Sequence, residues 1–577
     1  MNSAQAIWSM LLPKQRSAAL VLLGMMIVAM LLEMLGIGLV VPALAFMTRG
    51  DAEPSPLMAS WLARLGNPTQ TQLIMGGLVV LLGVYAVKTL FLLVVAYWQS
   101  RFVAALQASM GRRLFANYLA QPWTFHLQRN SAELARNILE VQGFGATCTS
   151  LLGTAAESLV LVGIVALLLW FEPLGAMVVG GVLAAATWLF SRFTNPRLVR
   201  WGEGRYRHLA LLQQHLQQGL GGAKDVKIRG CEAEFVEQYR KHSDIVAHLQ
   251  ARQSLVQQAP RLWLEMLAVV ALCLLTAVML WSGRPSAALI PTLGLFATAA
   301  FRLLPSVNRL SQATQNLRYS SSVINVLQRD LALTGPVSLP TSDRIPFRDA
   351  IVVDGVTFCF PNNPTPALDN VTIRIPYGSS VGIVGGSGAG KSTAVDILLG
   401  LLDPTAGKVT VDGIDIHHQL RGWQNLIGYV PQSIYLCDDS LRRNVAFGVP
   451  SERIDEAALD RAIRAASLDT FVATLPAGLE TLVGERGVRL SGGQRQRIGI
   501  ARALYHDPEV LVLDEATSAL DTATESDVMA AVNSLHGRKT LVIVAHRLST
   551  VEQCDVLVRL EHGRLVKTGS YADVVPR

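Results

Sequence analysis

The stretch GGSGAGKST at residues 385–393 decides the fold of the C-terminal half of the chain. It matches the pattern G-x-x-x-x-G-K-[ST], follows a β-branched strand at 381–384 (VGIV) and opens an apolar helical stretch (TAVDILLGLL). Glycines in such a loop let backbone N–H groups curl around phosphates, and the helix N-terminus adds positive potential. We expect Lys391 to reach the β- and γ-phosphates of a nucleotide and Ser392 to ligate magnesium.

A second apolar strand, EVLVLDE at 509–515, ends in two carboxylates. We expect Asp514 to hold Mg²⁺, directly or through water. Glu515 is then placed to polarise the attacking water, because phosphoryl transfer mostly asks a protein to orient the nucleophile and to neutralise charge. Taken alone, such a stretch is more often a strand end with a solvated acidic turn. The presence of further motifs in the same chain favours the catalytic interpretation of this strand end.

Three further motifs accompany these two: LSGGQRQR at 490–497, SALD at 518–521 and AHR at 545–547. In this order and spacing the sequence resembles the ABC transporter family, and LSGGQ is the signature sequence of that family. There the signature caps a helix whose N-terminus meets the γ-phosphate of ATP bound to the opposite subunit. The anion-binding property of helix N-termini agrees with that role.

The resemblance implies roles for further residues of the chain. Gln432, in YVPQS, matches the glutamine that links magnesium and lytic water to the membrane domain, and His546 matches the switch histidine at the γ-phosphate. Asp521 matches the aspartate at the dimer seam, and Glu485 matches the exporter-specific loop that touches the membrane domain. Phe360 stands where the family usually has a tyrosine stacked on adenine, and it keeps the ring face while losing only the hydroxyl.

These assignments define a candidate ATP site that uses ATP and Mg²⁺. The catalytic candidates are Glu515, His546 and Gln432. The metal-binding candidates are Ser392, Gln432 and Asp514. The nucleotide-binding candidates are Phe360, Gly385, Ser387, Gly388, Ala389, Gly390, Lys391, Ser392, Thr393, Ser491, Gly492, Gly493, Gln494 and Asp521.

The N-terminal half of the chain has the composition of a membrane domain. At 577 residues the chain is too long for one ordinary domain. Its 51% hydrophobic content and mean hydropathy of +0.35 fit a membrane part joined to a soluble part. A bilayer core about 30 Å thick needs roughly 20 apolar residues per helix. Six stretches qualify, at about 18–47, 71–99, 147–171, 173–193, 262–282 and 287–310.

We therefore predict a membrane all-α six-helix exporter domain at 1–330, a proline-containing linker at 331–350 and an α/β P-loop ATPase domain at 351–577. Long polar segments of helical periodicity separate spans two and three and spans four and five. We expect the spans to continue as helices into the cytosol and to reverse near Pro122 and near the glycines at 219–222. ATP-driven closure of the ATPase domains would reach the membrane domain through these reversals.

The net charge of +7 follows from orientation in the membrane. Lys14 and Arg16 precede the first span and a basic run follows the fourth, which places these flanks in the cytosol. No nucleic-acid partner is needed to explain the charge. The six scattered cysteines form no CxxC pair, so neither a zinc site nor a disulfide framework is indicated. We predict a multi-pass protein of the bacterial inner membrane with a cytosolic ATPase domain.

The resemblance implies a dimer, because the signature of one subunit completes the ATP site of the other and a single chain carries two half-sites. Every catalytic element is intact in this chain, including the carboxylate of Glu515. That favours a homodimer with two active sites, and pairing with a different subunit is the alternative.

The transported substrate is predicted from charges within the spans. Lys88, Arg261 and Arg302 lie toward the inner leaflet and would form a basic collar for an anionic headgroup if they face the cavity. Alternatively, Arg261 pairs with Glu265 and Lys88 pairs with Glu33.

An apolar stripe within residues 54–66 is typical of an amphipathic helix at the outer membrane surface, although a linker would also fit. With these features the chain is similar to bacterial lipid-linked oligosaccharide flippases, which move polyprenyl-pyrophosphate sugars. The alternatives are lipid A or multidrug export and, in another class, an ATP-gated channel or regulator.

Overall fold

The computed structural model describes residues 3–48, 70–171, 173–281, 286–333, 343–361, 363–484, 487–516, 522–545 and 547–575. The chain divides into two compact units. One comprises Met1–Gln121 and Arg129–Gly335, and the other comprises Pro122–Gln128 and Pro336–Arg577.

The described part of the first unit is helical, and six of its helices have more than 30 residues. The helices of this part are Ser3–Met10 (α1), Pro13–Thr48 (α2), Gln70–Leu119 (α3), Ser131–Phe171 (α5), Pro173–Gly221 (α6), Ala223–Arg229 (α7), Glu232–Trp281 (α8), Ser286–Tyr319 (α9) and Ser321–Leu331 (α10). Helix α3 has 50 residues, which corresponds to about 75 Å and is far longer than a bilayer core. The spans therefore continue as helices well beyond the membrane thickness.

Local sequence explains where these helices end. Helix α3 ends at Leu119, and a short helix, Trp123–Gln128 (α4), begins directly after Pro122. Proline is well placed at a helix start because its missing N–H is not needed there. Helix α6 ends at Gly221, and α7 begins after Gly222. Both breaks fall where the sequence placed the reversals.

Within the described part of the chain, three helical stretches are long and apolar enough to cross a membrane. They are Pro13–Gly36, Met75–Leu119 and Ser131–Trp170. The other three predicted spans, in α6, α8 and α9, contain positions whose side chains lie outside the described part of the chain.

A buried carboxylate joins three helices of this unit. The side chain of Asp330, in α10, is fully buried. Its Oδ2 accepts hydrogen bonds from the Tyr118 hydroxyl of α3 at 2.6 Å and from Asn137 Nδ2 of α5 at 3.1 Å. Arg129 lies 3.7 Å from Oδ1. Because a buried charge is stable only when paired and hydrogen-bonded, this cluster fixes α10 against α3 and α5.

The second unit contains two sheets. Its strands are Ala350–Phe358 (β1), Leu368–Pro376 (β2), Ser380–Val384 (β3), Ala406–Val411 (β4), Ile414–Asp415 (β5), Ile427–Val430 (β6), Val510–Asp514 (β7), Thr540–Val544 (β8), Val556–Glu561 (β9) and Arg564–Gly569 (β10). Its helices besides α4 are Lys391–Leu398 (α11), Leu420–Gln424 (α12), Leu441–Val445 (α13), Glu456–Ala465 (α14), Asp469–Thr474 (α15), Gly492–Leu504 (α16), Thr522–Asn533 (α17) and Tyr571–Val574 (α18).

The larger sheet has the order β10-β9-β3-β8-β7-β6, and the pairings from β9 to β6 are parallel. The smaller sheet has the order β2-β1-β4-β5 and is antiparallel. Parallel sheets are normally covered by helices on both faces, and their strands then read as continuous apolar runs. Strand β7 fits this rule, since all five of its residues are buried.

Alternate residues of β7 enter separate apolar cores on the two faces of the sheet. Leu511 and Leu513 pack with α16, whereas Val510 and Val512 pack with α11. The period-2 alternation of a strand therefore places the helix that follows the glycine loop and the helix that follows the signature on opposite faces. This fold is the helical membrane domain plus P-loop ATPase domain that the sequence predicts.

Candidate functional site

Three sequence motifs come together at one edge of the larger sheet. Parallel strands end at the same edge, and ligands of such sheets bind beyond their carboxyl ends. Strand β3 leads into the glycine loop, β7 ends in Asp514 and Glu515, and β6 leads into Gln432. The strand registers show that β6, β7 and β8 end at the same level, since Asp514 pairs with Val544 and Val430 pairs with Leu513.

The glycine loop wraps around its own lysine. Lys391 begins α11 and is only 5% exposed. Its ammonium group donates hydrogen bonds to the carbonyls of Gly385 at 2.9 Å and Gly386 at 3.1 Å. The charge is therefore held at the loop, next to the N-terminus of α11. Ser387 and Ser392 are exposed on the open side, Thr393 is half-buried, and Ala389 is buried beneath the loop.

Glycine is required at two positions of the loop by close approach of the backbone. A Cβ at Gly385 would lie 2.3 Å from the carbonyl oxygen of Leu560. Gly390 has a φ of +96°, and its Cβ would lie 2.7 Å from the carbonyl oxygen of Ala367. Both contacts are shorter than real Cβ atoms make, so any other residue would displace the loop.

Asp514 has the properties of a metal ligand. Its side chain is 8% exposed, and its Oδ1 is buried without a hydrogen-bond partner among the described residues. Burial and the neighbouring Glu515 carboxylate raise the pKa of Asp514, although Lys391 and the Tyr429 hydroxyl oppose that rise. A buried, unpaired carboxylate oxygen is costly by itself and fits a hard divalent cation such as Mg²⁺.

Glu515 and Gln432 are in direct contact. Gln432 Nε2 donates a hydrogen bond to Glu515 Oε2 at 2.5 Å, from the ends of β6 and β7. Glu515 has a φ of +48°, in the left-handed region that a glutamate rarely adopts, and its N–H donates to the carbonyl of Val544. Strained backbone of this kind is found most often at functional sites. The turn points Glu515 out of the sheet edge, where Gln432 holds it.

A group of polar residues below the loop was not foreseen in the sequence. The Tyr429 hydroxyl hydrogen-bonds to Asp514, and the Asp514 charge also acts on Asp396 of α11. Burial and the Asp514 charge raise the pKa of Asp396 to about 6, while a hydrogen bond from Trp123 of α4 opposes the rise. The signal in the sequence was a single aspartate within an otherwise apolar helix.

The signature forms a well-defined helix start. Ser491 caps the 13-residue helix α16: its hydroxyl accepts from the Gln494 N–H at 3.2 Å, and the Gln494 amide oxygen accepts from the Ser491 N–H at 2.9 Å. This reciprocal capping box fixes the first turn. Gly493 is buried and Gly492 half-buried, so the helix N-terminus carries no bulky side chain over its positive end.

Phe360 lies just after β1, next to the glycine loop. Its ring meets Phe358 edge-on, with centroids 5.0 Å apart. The Phe358 carbonyl accepts a hydrogen bond from the N–H of Ala367, and the Ala367 carbonyl oxygen lies close to Gly390 of the glycine loop. The hairpin between β1 and β2 therefore lies beside the glycine loop. Stacking of adenine on Phe360 stays a prediction from the sequence.

Three predicted residues fall outside the described part of the chain. They are Glu485, Asp521 and His546. Their roles stay predictions from the motif order.

The candidate substrate residues form other contacts in the described part of the chain. Lys88 is paired with Glu33 at 3.1 Å, and both side chains are largely buried. Arg261 is 73% exposed and paired with Glu265 at 3.2 Å. These two ion pairs are the ones that the sequence analysis gave as the alternative to a basic collar. The side chain of Arg302 and residues 54–66 lie outside the described residues, so the collar stays a prediction.

An apolar cavity of about 570 Å³ lies among α5, α6 and α9. Leu161, Leu168, Trp188 and Val307 are among its lining residues, and its few polar groups include Ser191. Such a wall suits hydrocarbon rather than a polar solute.

The fold and the site define an ATPase with the ABC arrangement, fused to a helical membrane domain. The ABC transporter model matches residues 368–518, and the model of the ABC transporter transmembrane region matches residues 19–302. The chain belongs to the ABC transporter family, as an ATP-driven exporter with both domains in one polypeptide.

Curated relatives of the chain share one name. The chain is 30% identical to an ATP-dependent lipid A-core flippase of Thiobacillus denitrificans, over 88% of this chain and 86% of that protein. It is 32% identical to the flippase of the same name in Cupriavidus pinatubonensis, covering 81% and 80%. It is 31% identical to the one in Vibrio cholerae, again covering 81% and 80%.

A solved structure resembles the whole chain. The structure of a bacterial Atm1-family ABC exporter with ATP bound superimposes with a TM-score of 0.78 and 25% identity, covering 94% of both chains.

Proposed function

We propose that this protein is a homodimeric exporter of the bacterial inner membrane that uses ATP hydrolysis to move an amphipathic anionic lipid from the cytosolic to the outer side. The observation that carries the ATPase part is the hydrogen bond between Gln432 and Glu515, next in the chain to Asp514, whose buried Oδ1 has no hydrogen-bond partner among the described residues. These groups lie at the same sheet edge as the loop that holds Lys391.

In this proposal each group has a separate task. Lys391 and the loop N–H groups bind the β- and γ-phosphates, and Asp514 with the Ser392 hydroxyl holds Mg²⁺. Mg²⁺ neutralises charge on the phosphate oxygens when it is bound. Glu515 orients and polarises the attacking water, and Gln432 keeps the Glu515 carboxylate in place. His546 contacts the γ-phosphate.

The separation of the two predicted phosphate-binding elements within one chain supports the proposed dimer. The loop precedes α11 and the capped signature precedes α16, and these helices cover opposite faces of the sheet. The positive N-terminus of α16 is therefore available to a nucleotide on a second copy. An intact set of catalytic residues in this chain supports two equal sites and hence a homodimer.

The substrate proposal uses the membrane domain and the relatives. An apolar cavity of about 570 Å³ fits the chains of a lipid. Relatives covering most of this chain are named lipid A-core flippases. We therefore place a lipid A-type glycolipid first. A polyprenyl-pyrophosphate oligosaccharide is the second candidate, because its anionic pyrophosphate would suit the predicted basic collar of Lys88, Arg261 and Arg302.

The test is substrate-stimulated ATPase activity in proteoliposomes of the full-length protein. A phosphorylated, multiply acylated disaccharide lipid should raise the rate about two- to fivefold, since substrate binding favours closure of the dimer. The comparison lipids are a polyprenyl-pyrophosphate sugar, phosphatidylethanolamine and an amphipathic cationic drug. Stimulation by the polyprenyl lipid alone would select the second candidate. If no lipid changes the rate, the substrate proposal fails while the ATPase assignment is untouched.

A further inference from the structure

A groove at one end of the helical unit lies between the start of α2 and the second half of α3. Its volume is about 420 Å³, and apolar groups dominate its wall. The lining residues are Ser17, Ala18, Val21, Leu22, Met25, Trp98, Arg101, Phe102 and Ala105. The ATP site and the larger cavity among α5, α6 and α9 use none of these residues.

The groove lies where the predicted spans meet the cytosol. The first span begins near residue 18 and the second ends near residue 99, so Ser17 and Arg101 mark the boundary. Val21 is 64% exposed and Trp98 is 49% exposed. Exposed tryptophans at span ends are typical of the interface between headgroups and hydrocarbon. The groove therefore opens toward lipid.

The described residues that line the groove include one basic side chain, Arg101, and no Asp or Glu. Arg101 lies over the Trp98 ring, with its guanidinium carbon 5.6 Å from the ring centroid. Arg16 is next to Ser17 in the chain, and its Nε is buried without a hydrogen-bond partner among the described residues. The sequence contains no Asp or Glu in α3, and Glu33 is the first acidic residue of the chain.

Helix α1 contacts both helices that form the groove. Ala6, Ile7 and Met10 are buried, and the carbonyl of Met10 accepts a hydrogen bond from Arg113 of α3 at 2.8 Å. Trp8, on the other face of α1, is 43% exposed and lies 5.8 Å from the Arg16 guanidinium carbon. The cations are thus presented by ordered helices that pack on one another.

We propose that this groove binds one anionic phospholipid of the cytoplasmic leaflet, as a lipid that stays bound and is not transported. An acyl chain lies along Val21, Leu22 and Phe102, and the phosphate group lies at Arg101 with Arg16 beside it. The apolar wall from Ser17 to Met25 is about 12 Å long, which reaches from the headgroup level into the hydrocarbon. The choice of an anionic headgroup follows from the charge at the mouth, because basic side chains at this level attract anionic lipids.

The test counts lipids on the full-length protein by native mass spectrometry. Phosphatidylglycerol and phosphatidylcholine with identical acyl chains are titrated separately into the detergent-solubilised protein. We expect phosphatidylglycerol to be retained in preference, and R101Q to reduce its occupancy about fivefold. Arg112→Gln is the matched control, since Arg112 is exposed on the same helix and outside the groove.

Three results would overturn the proposal. The first is equal retention of phosphatidylglycerol and phosphatidylcholine by the unmodified protein, and the second is an equal loss in R112Q and R101Q. Ala105→Trp fills the groove without changing charge and should also expel the lipid; unchanged occupancy in this variant would likewise count against the site. Stimulation by a transported lipid is measured separately, so failure of this proposal and failure of the transport proposal are distinguishable.

Discussion

At the scale of single residues, the carboxylates of the ATPase unit differ in what holds them. Within the described part of the chain, Asp514 Oδ1 has no hydrogen-bond partner, which is typical of a ligand site. Asp555, at the start of β9, has the opposite character. Its Oδ2 accepts hydrogen bonds from Ser380 N at 2.8 Å, from Ser380 Oγ at 2.9 Å and from His536 Nε2 at 2.9 Å. It therefore joins β3, β9 and the turn before β8.

This network predicts a pH-dependent contribution to stability. Burial alone would raise the pKa of Asp555, but the hydrogen bonds from His536 and Ser380 outweigh it and lower the pKa below the ordinary 3.8. A lowered folded-state pKa stabilises the fold above pH 3.8 and loses this effect as the pH falls further. Asp555→Asn should cost about 1 kcal/mol at pH 7, after allowance for its exposure.

Hydrogen exchange of the β3 and β9 amides in the full-length protein measures this cost. At pH 7 the exchange in D555N should be about fivefold faster than in the unmodified protein, and the difference should shrink as the pH falls below 3.8 toward the lowered pKa of Asp555. Asp349→Asn is the control, since Asp349 is 72% exposed and paired with exposed Arg374. A D555N difference that persisted unchanged at low pH would exclude a charge effect.

At the scale of elements, α10 is held by one buried charge. Asp330 accepts from helices α3 and α5, and Arg129 and Arg329 lie within ion-pair distance of it. Removing one partner of such a buried network leaves the others unsatisfied, which costs more than the interaction itself contributes. Asp330→Asn should therefore destabilise the helical unit by about 2–3 kcal/mol.

Thermal unfolding of the purified full-length protein tests this. D330N should lower the Tm by about 5 °C or more. Asp244→Asn, which removes an exposed pair with Arg240 on α8, should change it by less than 1 °C. Equal shifts of the Tm in the two variants would show that the buried network of Asp330 contributes no more to stability than an exposed ion pair.

The sequence predicts elements better than it predicts the contacts between them. Pro122 and Gly222 mark helix breaks because their effects on the backbone are local. The capping box of Ser491 is local as well. By contrast, Tyr429 and Asp396 meet Asp514 only because β6, β7 and α11 become neighbours after crossovers in the sheet. A spacing pattern along the chain cannot show such a meeting.

At the scale of the whole molecule, the proposed dimer places each nucleotide between two chains. Glu515→Gln should lower the ATP turnover rate about 100-fold while leaving nucleotide binding intact, because only orientation and polarisation of water are lost. With Mg-ATP the variant should retain one nucleotide per chain in a closed dimer. Native mass spectrometry of the purified variant measures both the stoichiometry and the bound nucleotide.

The control combines this change with Ser491→Arg. Ser491 is exposed, so the larger side chain should keep the signature away from the nucleotide of the partner copy. The substitution also removes the N-cap hydroxyl at a cost of about 1 kcal/mol, which loosens the first turn, while the rest of the 13-residue helix α16 keeps its packing. The double variant should bind ATP and release it freely. Retention of nucleotide in the double variant, or hydrolysis at the full rate by isolated single chains, would show that one copy completes its own site.

The short helix α4 has a practical consequence for anyone who cuts this protein apart. The ATPase unit includes Pro122–Gln128, a segment that precedes the rest of that unit by more than two hundred positions. A recombinant fragment starting at Pro336 would lack Trp123, the indole that donates to Asp396 beneath the glycine loop. Rates measured on that fragment would describe an enzyme with an altered set of carboxylates next to Asp514, so kinetic work needs the intact polypeptide.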